Sequence, residues 1–414
     1  MNERYDVVIA GAGPAGAQCA RDLATRGYDV VVLETESEDD FPRQSNKSTA
    51  GTFPSMMASF GIPDDVVMQY TDKVVLESPS NHYVQEQSGA VLEFADFKRF
   101  LVADGRDEGA EYRFDARATA PIVEDGEPVG VTYNGDEEVY AEIVVDATGP
   151  AAPLAKKLGV SDLQRENHAI GIEYELEGIE VDRPGFADLH DAMMLRLDHN
   201  IAPGGYSWIF HTGEDTAKVG VCYIQNDSHD QYARDDFSID DYLTHWLDTD
   251  PRFRNASRLE GKQHRGSAHI QMPGRVHTDR FMAIGDTVPT VDPLWGEGIH
   301  TCMQSGRMAA AAADSCLKHG NVEPNAENLG VYDSLWHTKV APNAKKRLLM
   351  TQLLYLASND RYDKLMADLG RLDEETLAKA NNGNPLAITK LLGVEDASLL
   401  ARFAKQQLDL ELPW

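Results

Sequence analysis

The chain has 414 residues, 42% of them hydrophobic, with 38 Lys and Arg set against 68 Asp and Glu, a formal net charge of -30 and a pI near 4.7. That length allows a large core and two or three domains, while the charge sets nucleic acid aside as a partner because its phosphates would meet a like-charged surface. The acids are spread along the chain instead of forming one tail, which favours a solvated, self-repelling surface adapted to high salt over a surface for basic partners.

Cys19, Cys222, Cys302 and Cys316 are scattered, and no two are spaced as a metal or redox pair. Reduced thiols in a cytosol are the simplest account. The first strand follows Met1 within a few residues, which leaves no room for a signal peptide, and no apolar run approaches the roughly 20 residues of a spanning helix. The expectation is a cytoplasmic protein that at most rests on the inner face of a membrane.

Tyr5 to Glu34 reads as strand, glycine-rich turn, helix, strand. Tyr5 to Ala10 is a β-branched run of the kind buried on both faces, and it leads into Gly11-Ala12-Gly13-Pro14-Ala15-Gly16. This is the dinucleotide fingerprint: Gly11 allows the tight turn, Gly13 lets a pyrophosphate approach bare backbone, and Gly16 lets the helix lie against the strand. The second strand, Tyr28 to Leu33, delivers Glu34, whose carboxylate suits an adenosine ribose and would repel a 2′-phosphate.

An acid-rich loop follows, in which Arg43 and Lys47 are candidate contacts for a phosphate or a flavin edge, or else surface charges. Thr71 to Val91 alternates like exposed strands, and Phe94 to Ala110 turns helical with Phe97, Phe100, Leu101 and Ala103 on one face. Between Glu111 and Val145, Asp125-Gly126 and Asn134-Gly135 are hairpin signals. The strand Ala141 to Val145 then runs into Asp146-Ala147-Thr148-Gly149-Pro150 and a helix over Ala151 to Leu158.

From Gln164 to Gly261 the chain reads as mostly β, with strands at Ala169–Leu176, Met193–Leu197, Tyr206–His211 and Lys218–Gln225 and a helix at Ile239–Leu247. This composition shift predicts a second domain inserted into the first. Arg280 to Asp286 is another buried strand ending in Gly285-Asp286, followed by Pro293, Gly296-Glu297-Gly298 and a small-residue helix from Ile299 to Cys316, whose start is anion-friendly. The tail from about Asn321 is helical by periodicity. There Lys345-Lys346-Arg347 joins an apolar helix that either rests on anionic lipid or is a core helix with a solvated end.

Taken together, the Gly11 fingerprint with Glu34, the Val144–Gly149 strand and turn, and Ile284-Gly285-Asp286 with Pro293, Gly296 and Gly298 resemble the FAD-binding framework of p-hydroxybenzoate hydroxylase-like flavoproteins. The resemblance implies FAD as cofactor, with Asp286 on the ribityl chain and the helix start at Gly296 to Ile299 facing the flavin pyrimidine, where a helix dipole stabilises negative charge. Further contacts carried over are Ala15, Ser48, Thr49 and Ala118.

A fourth piece, Tyr206-Ser207-Trp208-Ile209-Phe210 after Pro203-Gly204-Gly205, resembles the Tyr-x-Trp-x-Phe-Pro signature of geranylgeranyl reductases, including the archaeal digeranylgeranylglycerophospholipid reductases. Read from the residues alone, Tyr206, Trp208 and Phe210 share one strand face as an aromatic wall, either a pocket or ordinary core. The sequence departs from the family at His211, where the signature closes on proline, and at Phe94, where the family carries an arginine for FAD and Arg99 is the candidate substitute. Lys47-Ser48-Thr49-Ala50-Gly51 lacks the cysteine that the family loop often holds.

The implied architecture is a Rossmann-like α/β FAD-binding domain (residues 1–160 and 262–325), an inserted, mostly antiparallel β-sheet substrate domain (161–261, joined by 71–93) and a helical C-terminal region (326–414). The implied function is FAD-dependent saturation of isoprenoid double bonds in a prenyl lipid, with a small electron-donor protein or NAD(P)H as reductant. His211, His300 and Tyr206 are the candidate proton donors, and no metal is expected. The alternatives are a flavin monooxygenase acting on an aromatic or polyprenyl substrate, and a flavoprotein that binds a prenyl lipid or carries electrons without chemistry of its own. The flavin-dependent halogenases share the framework, but their Trp-x-Trp-x-Ile-Pro signature is missing.

Overall fold

Two eight-stranded sheets organise the chain. The computed structural model describes residues 3–43, 48–318 and 322–411. In chain order come β1 (Arg4–Ala10), α1 (Pro14–Ala24), β2 (Val30–Leu33), β3 (Gly51–Thr52), α2 (Pro54–Phe60), β4 (Val67–Glu77), β5 (His82–Leu92) and α3 (Phe94–Asp107). Next are β6 (Glu111–Arg113), β7 (Ala118–Glu124), β8 (Glu127–Tyr133), β9 (Glu137–Asp146), α4 (Pro153–Lys157), β10 (His168–Glu177), β11 (Ala192–Arg196), β12 (Gly205–Gly213) and β13 (Thr216–Ile224). They are followed by α5 (Asp227–Asp230), α6 (Ile239–Thr249), β14 (Ser257–His269), β15 (His277–Thr278), β16 (Phe281–Ala283) and α7 (Ile299–Leu317). The last elements are α8 (Ala326–Leu335), α9 (Ala344–Tyr355), α10 (Asn359–Leu369), α11 (Glu374–Asn381), α12 (Pro385–Ile388) and α13 (Ala397–Glu411).

The first sheet has the order β15-β16-β9-β1-β2-β6, with the β7/β8 hairpin attached to β9. Its centre is parallel, with Val8 beside both Val31 and Val144, and it is buried on both faces, which is why these strands read as unbroken apolar runs. Helices α1 and α7 cover it and touch almost backbone to backbone: a Cβ on Gly306 would come within 2.2 Å of the Ala15 carbonyl oxygen. Both hairpin signals form turns as expected, with Asp125, Gly126, Asn134 and Gly135 all at positive φ.

The second sheet, β14-β10-β13-β12-β11-β4-β5-β3, is antiparallel except where β11 meets β4. Along β10, Ile172, Tyr174 and Leu176 enter a core closed by Tyr242, Leu243 and Trp246 of α6, so Gly171, Glu173 and Glu175 point to the opposite face.

Several boundaries differ from the sequence reading. Strand β14 runs straight through the expected domain limit at 261/262 and pairs with β10, because His168–Glu177 needs a partner along its whole length. On α3 the buried stripe is Phe94, Phe97, Lys98, Leu101, Val102 and Gly105, so Ala103 is exposed. The helix expected from Ala151 begins as a tight turn over Gly149–Ala151 and becomes α4 only at Pro153.

Candidate active site

A cavity of about 520 Å³ lies between the two sheets. Alternation along β12 sends Tyr206 and Trp208 into it and turns Ser207, Ile209 and His211 to the other face. Strand β13 beside Trp208 carries a glycine at the matching position: a Cβ on Gly220 would lie 2.2 Å from the indole Cζ2, so the ring lies across that strand. Tyr206 and Trp208 stand with ring centroids 5.8 Å apart. Burial pushes the Tyr206 phenol well above its ordinary pKa, which makes it a poor acid.

The opposite wall comes from the first domain. Two helices begin at this cavity, α1 behind Gly13 and α7 behind Gly298, and neither capping residue has a side chain to satisfy the free N–H groups. Glu34 is buried beside the first of them, its Oε2 accepting from the Ala12 N–H at 2.9 Å and its Oε1 from the Glu36 N–H at 3.0 Å. Near the second, burial raises the Asp286 carboxyl to about 6, with the Cys302 thiol 3.6 Å away pulling the other way. Glu297 is likewise pushed up to about 7 by burial, against the hydrogen bond from the His300 N–H. A cavity with two uncapped helix starts, a ribose-type carboxylate by one and a half-buried carboxyl near the other matches a pyrophosphate-linked flavin nucleotide.

Of the residues picked out from sequence, Gly11, Gly13, Glu34, Ser48, Thr49, Ala118, Tyr206, Trp208, Asp286, Pro293, Gly296, Gly298 and Ile299 line this cavity. Ala15, Gly16 and Gly285 sit behind it: a Cβ on Gly16 would reach 2.0 Å from the Gly11 carbonyl oxygen, and one on Gly285 would reach 2.8 Å from the Ala15 Cβ.

Others stand elsewhere. Phe210 shares the face of Trp208 but packs two residues farther along, against Gly51 and Met193. His211 lies on the reverse face, where its Nδ1 accepts from the Asp191 N–H at 3.0 Å. His300 points to Phe60, ring to ring at 6.0 Å. Arg43 and Arg99 are exposed and paired with Asp40 and Asp96, lining a separate solvent-open depression with Lys262 and Arg265. Lys47 lies outside the described residues.

Sequence reasoning missed three features. Lys98 is buried in the cavity wall, its ammonium 4.6 Å from the Phe41 ring centre. The signal was a lysine in register with the apolar stripe of α3. Glu173 also lines the cavity; the alternating Ile-Glu-Tyr-Glu-Leu of β10 looks like a solvated strand, yet its polar face covers the other domain. The third is an apolar cavity of about 200 Å³ beneath the C-terminal helices, walled by residues such as Leu195, Leu197, Leu353, Leu354 and Met366 and sharing Tyr206 and Tyr355 with the first. The apolar face of α9 is spent there, and Arg347 is tied to Asp292.

Comparison with known proteins agrees with this geometry. The FAD binding domain family matches residues 4–318. The digeranylgeranylglycerophospholipid reductase of Haloferax volcanii, a halophilic archaeon, is 67% identical over 405 residues, covering 98% of this chain and 99% of that one. Among solved structures, a geranylgeranyl bacteriochlorophyll reductase-like protein from Thermoplasma acidophilum superposes with a TM-score of 0.81 at 22% identity, covering 99% of each chain. The flavin-dependent brominase Bmp2 shares the fold at a TM-score of 0.73 and 21% identity, covering 99% of this chain and all of its own. The cofactor is FAD, and the chain belongs to the digeranylgeranylglycerophospholipid reductases, a family of FAD-dependent oxidoreductases.

Proposed function

We propose that this protein saturates the trisubstituted double bonds of geranylgeranyl chains on an archaeal membrane-lipid precursor. The observation that carries the reading is the adjacency of the two cavities: Tyr206 and Tyr355 line both, so an apolar chain seated under α9 and α10 comes up against the space between Trp208 and the start of α7. Gly11, Gly13, Glu34 and Lys98 hold the adenosine and pyrophosphate end of FAD, and Asp286, Gly296, Gly298 and Ile299 hold the flavin end. When bound and reduced, FAD supplies a hydride.

An unactivated alkene must take a proton as it takes hydride, and positive charge then builds on its tertiary carbon. The π faces of Tyr206 and Trp208 attract that charge. The reductant of the flavin is a small electron-donor protein or a transiently bound nicotinamide.

Access is from a lipid surface. Ile388, Leu391 and Leu392 line the apolar cavity, and Leu386 (79% exposed) and Val394 (92% exposed) stand in the same segment of chain. Among the described residues no helix is long and apolar enough to cross a membrane, so the contact is peripheral.

The test is an anaerobic assay of FAD-loaded protein with dithionite and digeranylgeranylglyceryl phosphate. Saturated lipid by mass spectrometry is expected; unchanged lipid with the flavin still reduced overturns the proposal.

A further inference from the structure

We infer that Glu173 is the proton donor for alkene saturation, a role that rests on the reading above. Its side chain lines the cavity beside Trp208 and is almost wholly shielded, at 3% exposure. One carboxyl oxygen, Oε2, accepts from the Trp208 indole N–H at 2.8 Å. The other, Oε1, is buried with no hydrogen-bond partner. A buried carboxyl oxygen without a partner is costly, and such groups persist where chemistry uses them.

The other candidate acids are set aside by position or chemistry. His211 and His300 point away from the cavity, and burial makes the Tyr206 phenol a weaker acid.

A row of polar groups on β10 and β14 flanks Glu173 on the side of the open depression. His264 is its cross-strand neighbour on β14 and lines both the cofactor cavity and the open depression behind it. The His264 Nε2 is 3.3 Å from Glu175 Oε1, and the same oxygen is 3.4 Å from Lys262, which also pairs with Glu93 at 2.8 Å. Against the pull of burial, the His264 hydrogen bond and the charges of Lys218 and Lys262 hold the Glu175 carboxyl below its ordinary range, so Glu175 stays a carboxylate.

The balance is simple. The O–H bond at Glu173 breaks as a C–H bond forms at the less substituted alkene carbon, and the hydride from reduced FAD completes the saturation at the tertiary carbon. Glu173 is left as a carboxylate and regains its proton from water. The two electrons come from the flavin's reductant, dithionite in the test below. Negative charge arriving on Glu173 is passed to the indole through its N–H and strengthens the π face as the cation forms beside it.

The groups surrounding Glu173 are Trp208 from β12, Lys218 from β13, His264 and Lys262 from β14 and Glu175 on its own strand, with Asp286, Glu297 and Cys302 on the far side of the site. Two measurements test the role. In the first, reduced wild type and Glu173→Gln are mixed anaerobically with digeranylgeranylglyceryl phosphate and flavin reoxidation is followed. Glu173→Gln is expected to bind FAD and accept dithionite electrons as wild type does, yet to reoxidise at least about 100-fold more slowly, with Glu173→Asp in between.

In the second, the FAD-free protein is followed by indole ¹⁵N–¹H resonances, with Trp208 assigned from Trp208→Phe. The Trp208 signal is expected to shift with pH in wild type and to stay fixed in Glu173→Gln. A Glu173→Gln rate within about threefold of wild type, or a Trp208 signal that is flat from pH 4 to 10 in wild type, overturns the assignment. Wild type that gives no saturated lipid overturns the functional reading itself, and the donor role with it.

Discussion

The hydroxyl of Tyr206 rests on Gly296: a Cβ at that glycine would come within 2.0 Å of the oxygen and 3.0 Å of Cζ. Gly296 has φ +66°, so the turn before α7 is held in a left-handed conformation and pressed by an aromatic ring from the other sheet. The signature strand and the flavin-side helix start are therefore keyed to each other at one point.

Gly296→Ala adds both strain and collision, on the order of 1–3 kcal/mol, and moves the turn that meets the flavin. FAD affinity, read by quenching of flavin fluorescence, is expected to fall about 10- to 100-fold. Adding Tyr206→Phe removes the closest contact and recovers part of the loss. Affinity unchanged in Gly296→Ala would mean that the turn does not touch the cofactor.

Asp286 makes the FAD-free protein sensitive to alkali. Its folded carboxyl pKa of about 6 lies above the unfolded value of about 3.9, so the folded state binds the proton more tightly. The stability this gives is full below about pH 4 and is lost as pH rises through about 6, amounting to at most about 3 kcal/mol. Glu297, raised to about 7, acts in the same sense over a window reaching one unit higher. Thermal unfolding of the FAD-free protein at constant salt is expected to show a larger fall in Tm from pH 5 to pH 8 in wild type than in Asp286→Asn. Equal falls would contradict the placement of Asp286.

Behind the sheet, Arg252 is fully buried between two carboxylates, with Nη2 2.8 Å from Glu77 Oε1 and 2.6 Å from Asp250 Oδ2. Arg196 reaches the same Glu77 oxygen at 2.5 Å and Asp198 at 2.9 Å. Removing one charge strands its partners without water, so Arg252→Ala is expected to cost roughly 3–5 kcal/mol, seen as a drop in Tm of about 3–6 °C for a chain of this length. FAD affinity per folded molecule should not change, because this network lies outside the cofactor cavity. A Tm within about 1 °C of wild type, less than about 1 kcal/mol for a chain of this length, would disprove the estimate.

What could be read from the chain divides along physical lines. The Gly11 fingerprint, the Asp-Gly and Asn-Gly hairpins and the apolar parallel strands are set by local backbone chemistry and burial, so they were legible. His211 was misplaced despite a local rule, since the alternation that puts Tyr206 and Trp208 on one face puts residue 211 on the other. Glu173 was illegible for a different reason, since a charged side chain on a strand looks solvated until the tertiary structure covers it, whereas Lys98 did carry a signal in its register with the apolar stripe of α3. Arg43 was overvalued because bases in an acidic chain attract attention, and Arg99 because it stands one turn past Phe94, where the family arginine is missing, although each has an acid three residues away. The extent of β14 depended on the length of its partner strand, which no short window reveals.

On the proposed reading, the apolar cavity under α9 and α10 sets how much prenyl chain is gripped. Leu195, in register with Trp208 across β11 and β12, is one of its walls. Leu195→Trp fills space where the distal part of a 20-carbon chain would lie while leaving the cofactor cavity as it is. Its KM for a digeranylgeranyl lipid is expected to rise about tenfold, a loss of about 1.4 kcal/mol of binding, and its KM for a 10-carbon geranyl analogue should stay near wild type. FAD binding and reduction by dithionite should not change. Equal effects on the long and short substrates would place the chain elsewhere and detach this cavity from catalysis.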